Sequence, residues 1–150
     1  MAKQDNSRKV RDVMTLNPET VTEKDDVRQV ARIMKDRDTG VVPVVDGGKK
    51  VIGVVTDRDI VVRCIAEGHD VANCRVNSVM TKSVRSVRED TPVDEVLTLM
   101  SSAEIRRVPV VNGNNELVGI VSMGDIAINT NKDGKVGQAL EDISEAPPNN

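Results

Sequence analysis

Apolar residues follow two rhythms in this chain. Val27, Val30, Ala31 and Met34 fall at i, i+3, i+4 and i+7, and Val93, Val96, Leu97 and Met100 repeat that spacing. Each set predicts a helix with one buried face. Asp25 and Thr91 are the expected N-caps, and Pro92 suits the first helical position. The second rhythm is continuous and β-branched. Val41–Val45 with Val51–Val55, and Val108–Val111 with Leu117–Val121, read as strand pairs turning at Gly47-Gly48 and Gly113-Asn114. Short extended segments, Thr20–Thr22 and Ser86–Arg88, precede the helices. A further helix is expected after Thr56 and after Ser122. The order strand–helix–strand–strand–helix therefore occurs twice, an α+β pattern.

The two halves are copies. Val13-Met14-Thr15 returns as Val79-Met80-Thr81, and Val42-Pro43-Val44-Val45 as Val108-Pro109-Val110-Val111. Gly53-x-Val55-Thr56-x-x-Asp59-Ile60 returns as Gly119-x-Val121-Ser122-x-x-Asp125-Ile126, and every pair is 66 residues apart. The expected organisation is an extension at 1–9, a first repeat at 10–67, a linker at 68–75, a second repeat at 76–130 and a tail at 131–150. The tail holds one short predicted helix, Val136–Ile143. A sheet of two or three strands with helices on one face cannot hide its other face alone. Two copies packed about a pseudo-twofold axis can.

Composition narrows the chemistry. The chain contains no Phe, Tyr or Trp, so a bound ring must lie against aliphatic side chains. The net charge of −3 supplies no field to draw in nucleic acid, and the missing aromatics remove base stacking. No apolar run is long enough for a membrane span, and the first residues lack the apolar stretch of a signal peptide. A cytoplasmic location is expected. Cys64, His69 and Cys74 form C-x4-H-x4-C, one ligand short of a structural zinc site and more widely spaced than local zinc motifs. The plain reading is a half-buried Cys64 on a helix and an exposed linker thiol at Cys74. The single His, the absence of a phosphate-binding glycine loop and the lack of a nucleophile with a base argue against an enzyme.

With Val-Met-Thr, Val-Pro-Val-Val and Gly-x-Val-[Thr/Ser]-x-x-Asp-Ile each present twice in register, residues 10 to 130 resemble a CBS-domain pair, or Bateman module. The small stand-alone bacterial members are the nearest in kind. The resemblance implies a regulatory module with two related clefts for an adenosyl ligand: AMP, ADP, ATP, S-adenosylmethionine or NAD. It assigns Asp59 with Thr56, and Asp125 with Ser122, to the ribose and its phosphate. It also implies that each cleft is finished by the opening segment of the opposite repeat. Thr15, Asn17, Pro18 and Thr20 would close the Asp125 cleft, and Thr81, Ser83 and Ser86 the Asp59 cleft. Backbone groups there meet the adenine edge.

Plainer readings stand beside these. Thr56-x-x-Asp59 and Ser122-x-x-Asp125 also fit capping boxes with Asp in place of Glu. Thr15 and Thr81 also fit turn chemistry. The resemblance also implies basic residues just before the second strand to meet phosphates; Arg106 and Arg107, before Pro109 in the second Val-Pro-Val-Val strand, are the candidates, and Arg suits the role through its bidentate fork. The first repeat has Gly40 and Val41 there, leaving Arg58 as its candidate cation. A homodimer is expected through Ile60, Val61, Ile65 and Ile126, with a downstream protein that the sequence does not name. The alternative function is a structural dimerisation module with vestigial clefts.

Overall fold

The computed structural model describes residues 8–129. The predicted tail helix and most of the N-terminal extension lie outside them. In chain order the elements are β1 (Thr15–Leu16), α1 (Val27–Arg37), β2 (Val41–Val45), β3 (Val51–Thr56), α2 (Asp57–Ile60), α3 (Val76–Val79), β4 (Val87–Arg88), α4 (Val93–Ala103), β5 (Arg107–Val111), β6 (Leu117–Ser122) and α5 (Met123–Asn129). Both rhythms of the sequence thus become the helices and strands they predict.

The described residues form two compact units that do not coincide with the sequence repeats. One unit takes Pro18–Val84 with Asn115–Leu117; the other takes the chain up to Asn17, Arg85–Asn114 and the chain from Val118 on. They are called here the Asp59 unit and the Asp125 unit. Residues 10–17, which open the first repeat, therefore belong to the Asp125 unit, and residues 76–84, which open the second, to the Asp59 unit.

In the Asp59 unit, β2 and β3 pair antiparallel, with Val42 opposite Val55 and Val44 opposite Gly53. Val21 extends this ladder as a parallel bridge to Val44. The core gathers Val21, Val27, Val30, Val44, Val55 and Val79, all essentially inaccessible. In the Asp125 unit, the strand order is β1-β6-β5-β4, with β1 antiparallel to β6 and β4 parallel to β5. Its core is Val10, Val96, Leu97, Met100, Val110 and Ile126.

The helix starts correct two expectations. Asp26, not Asp25, caps α1, accepting the Gln29 N–H at 2.9 Å. Asp25 instead accepts the Thr22 N–H at 2.8 Å and closes the preceding turn. Pro92 is the N-cap of α4, with extended ψ of 143°, while Thr91 accepts from the Arg88 N–H. Proline has no N–H to contribute, so it stands one residue before the helix as easily as inside it. Ala31 is exposed; α1 rolls toward Val27 and Val30, with Ile33 and Met34 half-buried.

The hairpins turn where the sequence places them, at Gly47-Gly48 and Gly113-Asn114. The left-handed residues are Lys49 (φ 67°) and Asn115 (φ 66°), not the glycines before them. Asp46 Oδ1 holds the first turn by accepting the N–H groups of Gly48 and Lys50, both at 2.9 Å. Asn112 does the same for the Asn114 N–H. A side-chain acceptor that mimics a backbone turn fixes these loops, so glycine is not required at the strained position. Cys74 is buried, at 5% exposure, rather than an exposed thiol; Cys64 is fully buried, and both are free.

Candidate functional site

Both [Thr/Ser]-x-x-Asp motifs sit where a strand ends and a helix begins. Thr56 Oγ1 accepts the Asp59 N–H at 3.0 Å while Asp59 Oδ2 accepts the Thr56 N–H at 2.9 Å. Ser122 Oγ accepts the Asp125 N–H at 3.0 Å and Asp125 Oδ2 accepts the Ser122 N–H at 3.0 Å. The capping box is therefore formed in both copies. Each box spends one oxygen of its aspartate and holds the carboxyl at the helix mouth.

The glycine of each motif admits the opening segment that lies beside it. A Cβ on Gly53 would stand 2.6 Å from the Thr81 carbonyl oxygen, and one on Gly119 would stand 2.7 Å from Met14 Sδ and 2.8 Å from the Thr15 carbonyl oxygen. Val54 and Thr81 exchange backbone hydrogen bonds at 3.0 and 2.8 Å. Thr15 and Leu16 pair with Ile120 and Gly119. Only a residue without a Cβ permits this approach of two backbones.

The two sites then diverge. Asp59 is buried, at 7% exposure, and Thr81 Oγ1 reaches both of its carboxylate oxygens at 3.2 Å. Asp125 is only half-buried, and Thr15, the counterpart of Thr81, is exposed. Arg106 is fixed at the Asp125 site by its backbone, its carbonyl accepting the Met123 N–H at 2.8 Å. Arg107 opens β5, and both guanidinium side chains are on exposed residues. Pro109 is buried within β5. At the matching junction of the Asp59 unit, the Gly40 carbonyl accepts the Asp57 N–H at 3.0 Å. There the Asp57 carboxylate lies 3.0 Å from where a Gly40 side chain would begin.

The remaining predicted residues are spread across both units. Arg58 is exposed, its N–H donating to Asp57 Oδ1. Asn17, left-handed at φ 50°, donates its N–H to the Val118 carbonyl in the Asp125 unit. Pro18 and Thr20 belong to the Asp59 unit, where Thr20, Glu19, Arg32 and Arg37 line a polar cleft of about 480 Å³. Ser83 is exposed in the Asp59 unit, and Ser86 is exposed in the Asp125 unit. The sequence reading missed Arg63. Its Nη1 donates to the Met80 carbonyl at 3.0 Å and the Val79 carbonyl at 3.3 Å, and its Nε lies 3.9 Å from Asp59 Oδ1. Its i+4 spacing from Asp59 was the one available signal. Among the described residues no cluster of His, Cys, Asp and Glu could hold a metal ion.

The CBS domain family matches residues 10–65 and 76–129. Protein YlbB of Bacillus subtilis is 43% identical over 138 residues, covering 91% of this chain and 92% of its own. The CBS-domain pair of MJ0100, solved with 5'-methylthioadenosine and S-adenosyl-L-methionine, is 30% identical with a TM-score of 0.73, covering 84% of this chain and 98% of that one. CBSX2, solved with AMP, is 25% identical with a TM-score of 0.72, covering 83% of this chain and 96% of that one. The family match spans both repeats, with Asp59 in one and Asp125 in the other. The chain belongs to the CBS-domain family and carries a tandem CBS pair.

Proposed function

We propose that the chain is a nucleotide-responsive regulatory module whose Asp125 unit takes a phosphorylated adenosyl ligand. The carrying observation is the junction of Arg106 with Met123. A backbone hydrogen bond of 2.8 Å ties an arginine to the first turn of the Ser122-x-x-Asp125 helix. One unit thereby carries a carboxylate for vicinal ribose hydroxyls, a hydroxyl at Ser122 and two guanidinium groups for phosphate. Charge-assisted bonds of both kinds are the strong ones. Thr15 and Asn17 lie on the same unit, paired to β6 and to Val118. The adenosyl ligands of MJ0100 and CBSX2 support an adenosyl ligand for this chain, and the AMP of CBSX2 supports a phosphorylated one.

Titration calorimetry with AMP and adenosine tests the reading. Arg106→Ala is expected to weaken AMP about tenfold or more, the loss of one charge-assisted bond, while sparing adenosine. Asp125→Ala is expected to weaken both, because both carry the ribose. Asp125→Asn keeps a capping acceptor and controls for the helix start. Equal loss of AMP and adenosine in Arg106→Ala would show that the guanidinium shapes the site without reading phosphate.

A second reading has its own observation. Val61, Val62 and Ile65 are exposed on one helical segment, an apolar face suited to a second copy of the chain. Self-association and ligand response are compatible, and a homodimer in the cytoplasm acting on a downstream protein joins them. If neither AMP nor adenosine binds while the dimer persists, the assembly role stands alone.

A further inference from the structure

We propose that Arg63 is a built-in occupant of the Asp59 site, so that the chain takes one phosphorylated nucleotide, not two. The inference rests on the nucleotide reading above and sharpens it to stoichiometry and selectivity.

Arg63 engages the groups that a ligand in that site would need. Its guanidinium donates to the carbonyls of Val79 and Met80 at 3.3 and 3.0 Å, on the opening segment assigned to the adenine edge. Its Nε stands 3.9 Å from Asp59 Oδ1, the carboxylate assigned to the ribose. The hydroxyl of Thr81 covers that same carboxylate at 3.2 Å from both oxygens. A ribose reaching Asp59 must displace a cation and a hydroxyl together, from a carboxyl only 7% exposed.

The local backbone places Arg63 there. α2 continues into a π turn at Val61–Ile65, closed by the Ala66 N–H to the Val61 carbonyl at 2.8 Å. Such single π turns inside helices are rare and gather at functional positions. The residue 66 positions later is Asn129, which carries no charge.

A second, independent feature works against phosphate. The first repeat sets Gly40 against the Asp57 carboxylate, where the second repeat sets Arg106 against Met123. The Asp59 unit thus presents an anion at the junction where the Asp125 unit presents a cation. Phosphate oxygens meet repulsion there, and like charges at close range disfavour binding. Removal of Arg63 alone should open the site to adenosine but not to AMP.

Calorimetric titration of the full chain separates the outcomes. Wild type should take one equivalent of AMP. Arg63→Ala should raise adenosine stoichiometry from one to two and leave AMP at one. Adding Asp57→Ala should raise AMP to two. Arg63→Met, which keeps the aliphatic stem against its neighbours but lacks the guanidinium, should repeat the Arg63→Ala result; a gain confined to Arg63→Ala would mean that truncation loosens the fold and would overturn the proposal. Two equivalents of AMP on wild type, or one equivalent of adenosine on both Arg63 variants, would overturn the proposal and leave the nucleotide reading intact. No heat from either ligand on wild type and variants alike would overturn the nucleotide reading and this proposal with it.

Discussion

Cys64 shows how far burial alone can alter a residue's chemistry. Burial pushes its thiol up from 9.0 to about 11, and the neighbouring Cys74 and the Asp70 charge add to the effect. The protonated thiol also points at the His69 carbonyl, 3.7 Å away. The folded state therefore prefers the neutral form more than the unfolded state does. That preference is fully present below pH 9.0, the unfolded value, and is lost as pH rises through about 11. The difference in melting temperature between wild type and Cys64→Ala should narrow across that window; a constant difference would show that the thiol does not titrate there. Glycine positions offer a second test at this scale. Gly119→Ala puts a Cβ 2.7 Å from Met14 Sδ, and overpacking of this kind costs about 1–3 kcal/mol in chemical denaturation. Gly47→Ala, with nothing within 4 Å, should be near neutral.

Elements were legible in the sequence wherever a physical period specified them, and illegible where a single backbone hydrogen bond decided the outcome. The 66-residue offset exposed both copies of the fold, and Val93, Val96, Leu97 and Met100 all face the core as their spacing demands. Both capping boxes were readable from Thr56-x-x-Asp59 and Ser122-x-x-Asp125, because the reciprocal bonds need only residue type and spacing. The N-cap of α1 was not, since Asp25 and Asp26 are chemically alike and the choice falls to which one reaches Gln29. Asp26→Ala should cost about 1 kcal/mol of stability by loss of that cap. The π turn was equally hidden. Val61-Val62-Arg63-Cys64-Ile65 reads as ordinary helix, and nothing in its residue types announces an i+5 bond. Arg63 went unnoticed for that reason. The candidate site was thus half legible: its carboxylates and the Arg106–Arg107 pair could be named in advance, but the difference between the two aspartates lay in tertiary contacts.

At the scale of the whole molecule, association depends on which apolar side chains the fold leaves uncovered. Ile60 and Ile126, both expected at a dimer face, are buried within their own units at 7% and 0% exposure. Val61, Val62 and Ile65 are exposed together at 53%, 41% and 55%, while Leu16 and Ile128 are exposed elsewhere in the chain. Three aliphatic side chains in five residues are an unusual load for solvent to carry, and they lie on the same turn that holds Arg63. A stable interface hides about 800 Å² per partner, more than three such side chains possess. The patch therefore serves as an apolar centre, and polar residues around it form the rim. In a twofold dimer the same patch is used by both copies, so one substitution is felt twice. Ile65→Glu would bring two carboxylates together across the axis, whereas Ile65→Val would keep the centre apolar. Light scattering on a sizing column should report a dimer for wild type and Ile65→Val and a monomer for Ile65→Glu, with melting temperatures confirming that each is folded. A wild-type monomer at micromolar concentration, or an Ile65→Glu dimer, would place the association elsewhere or remove it altogether.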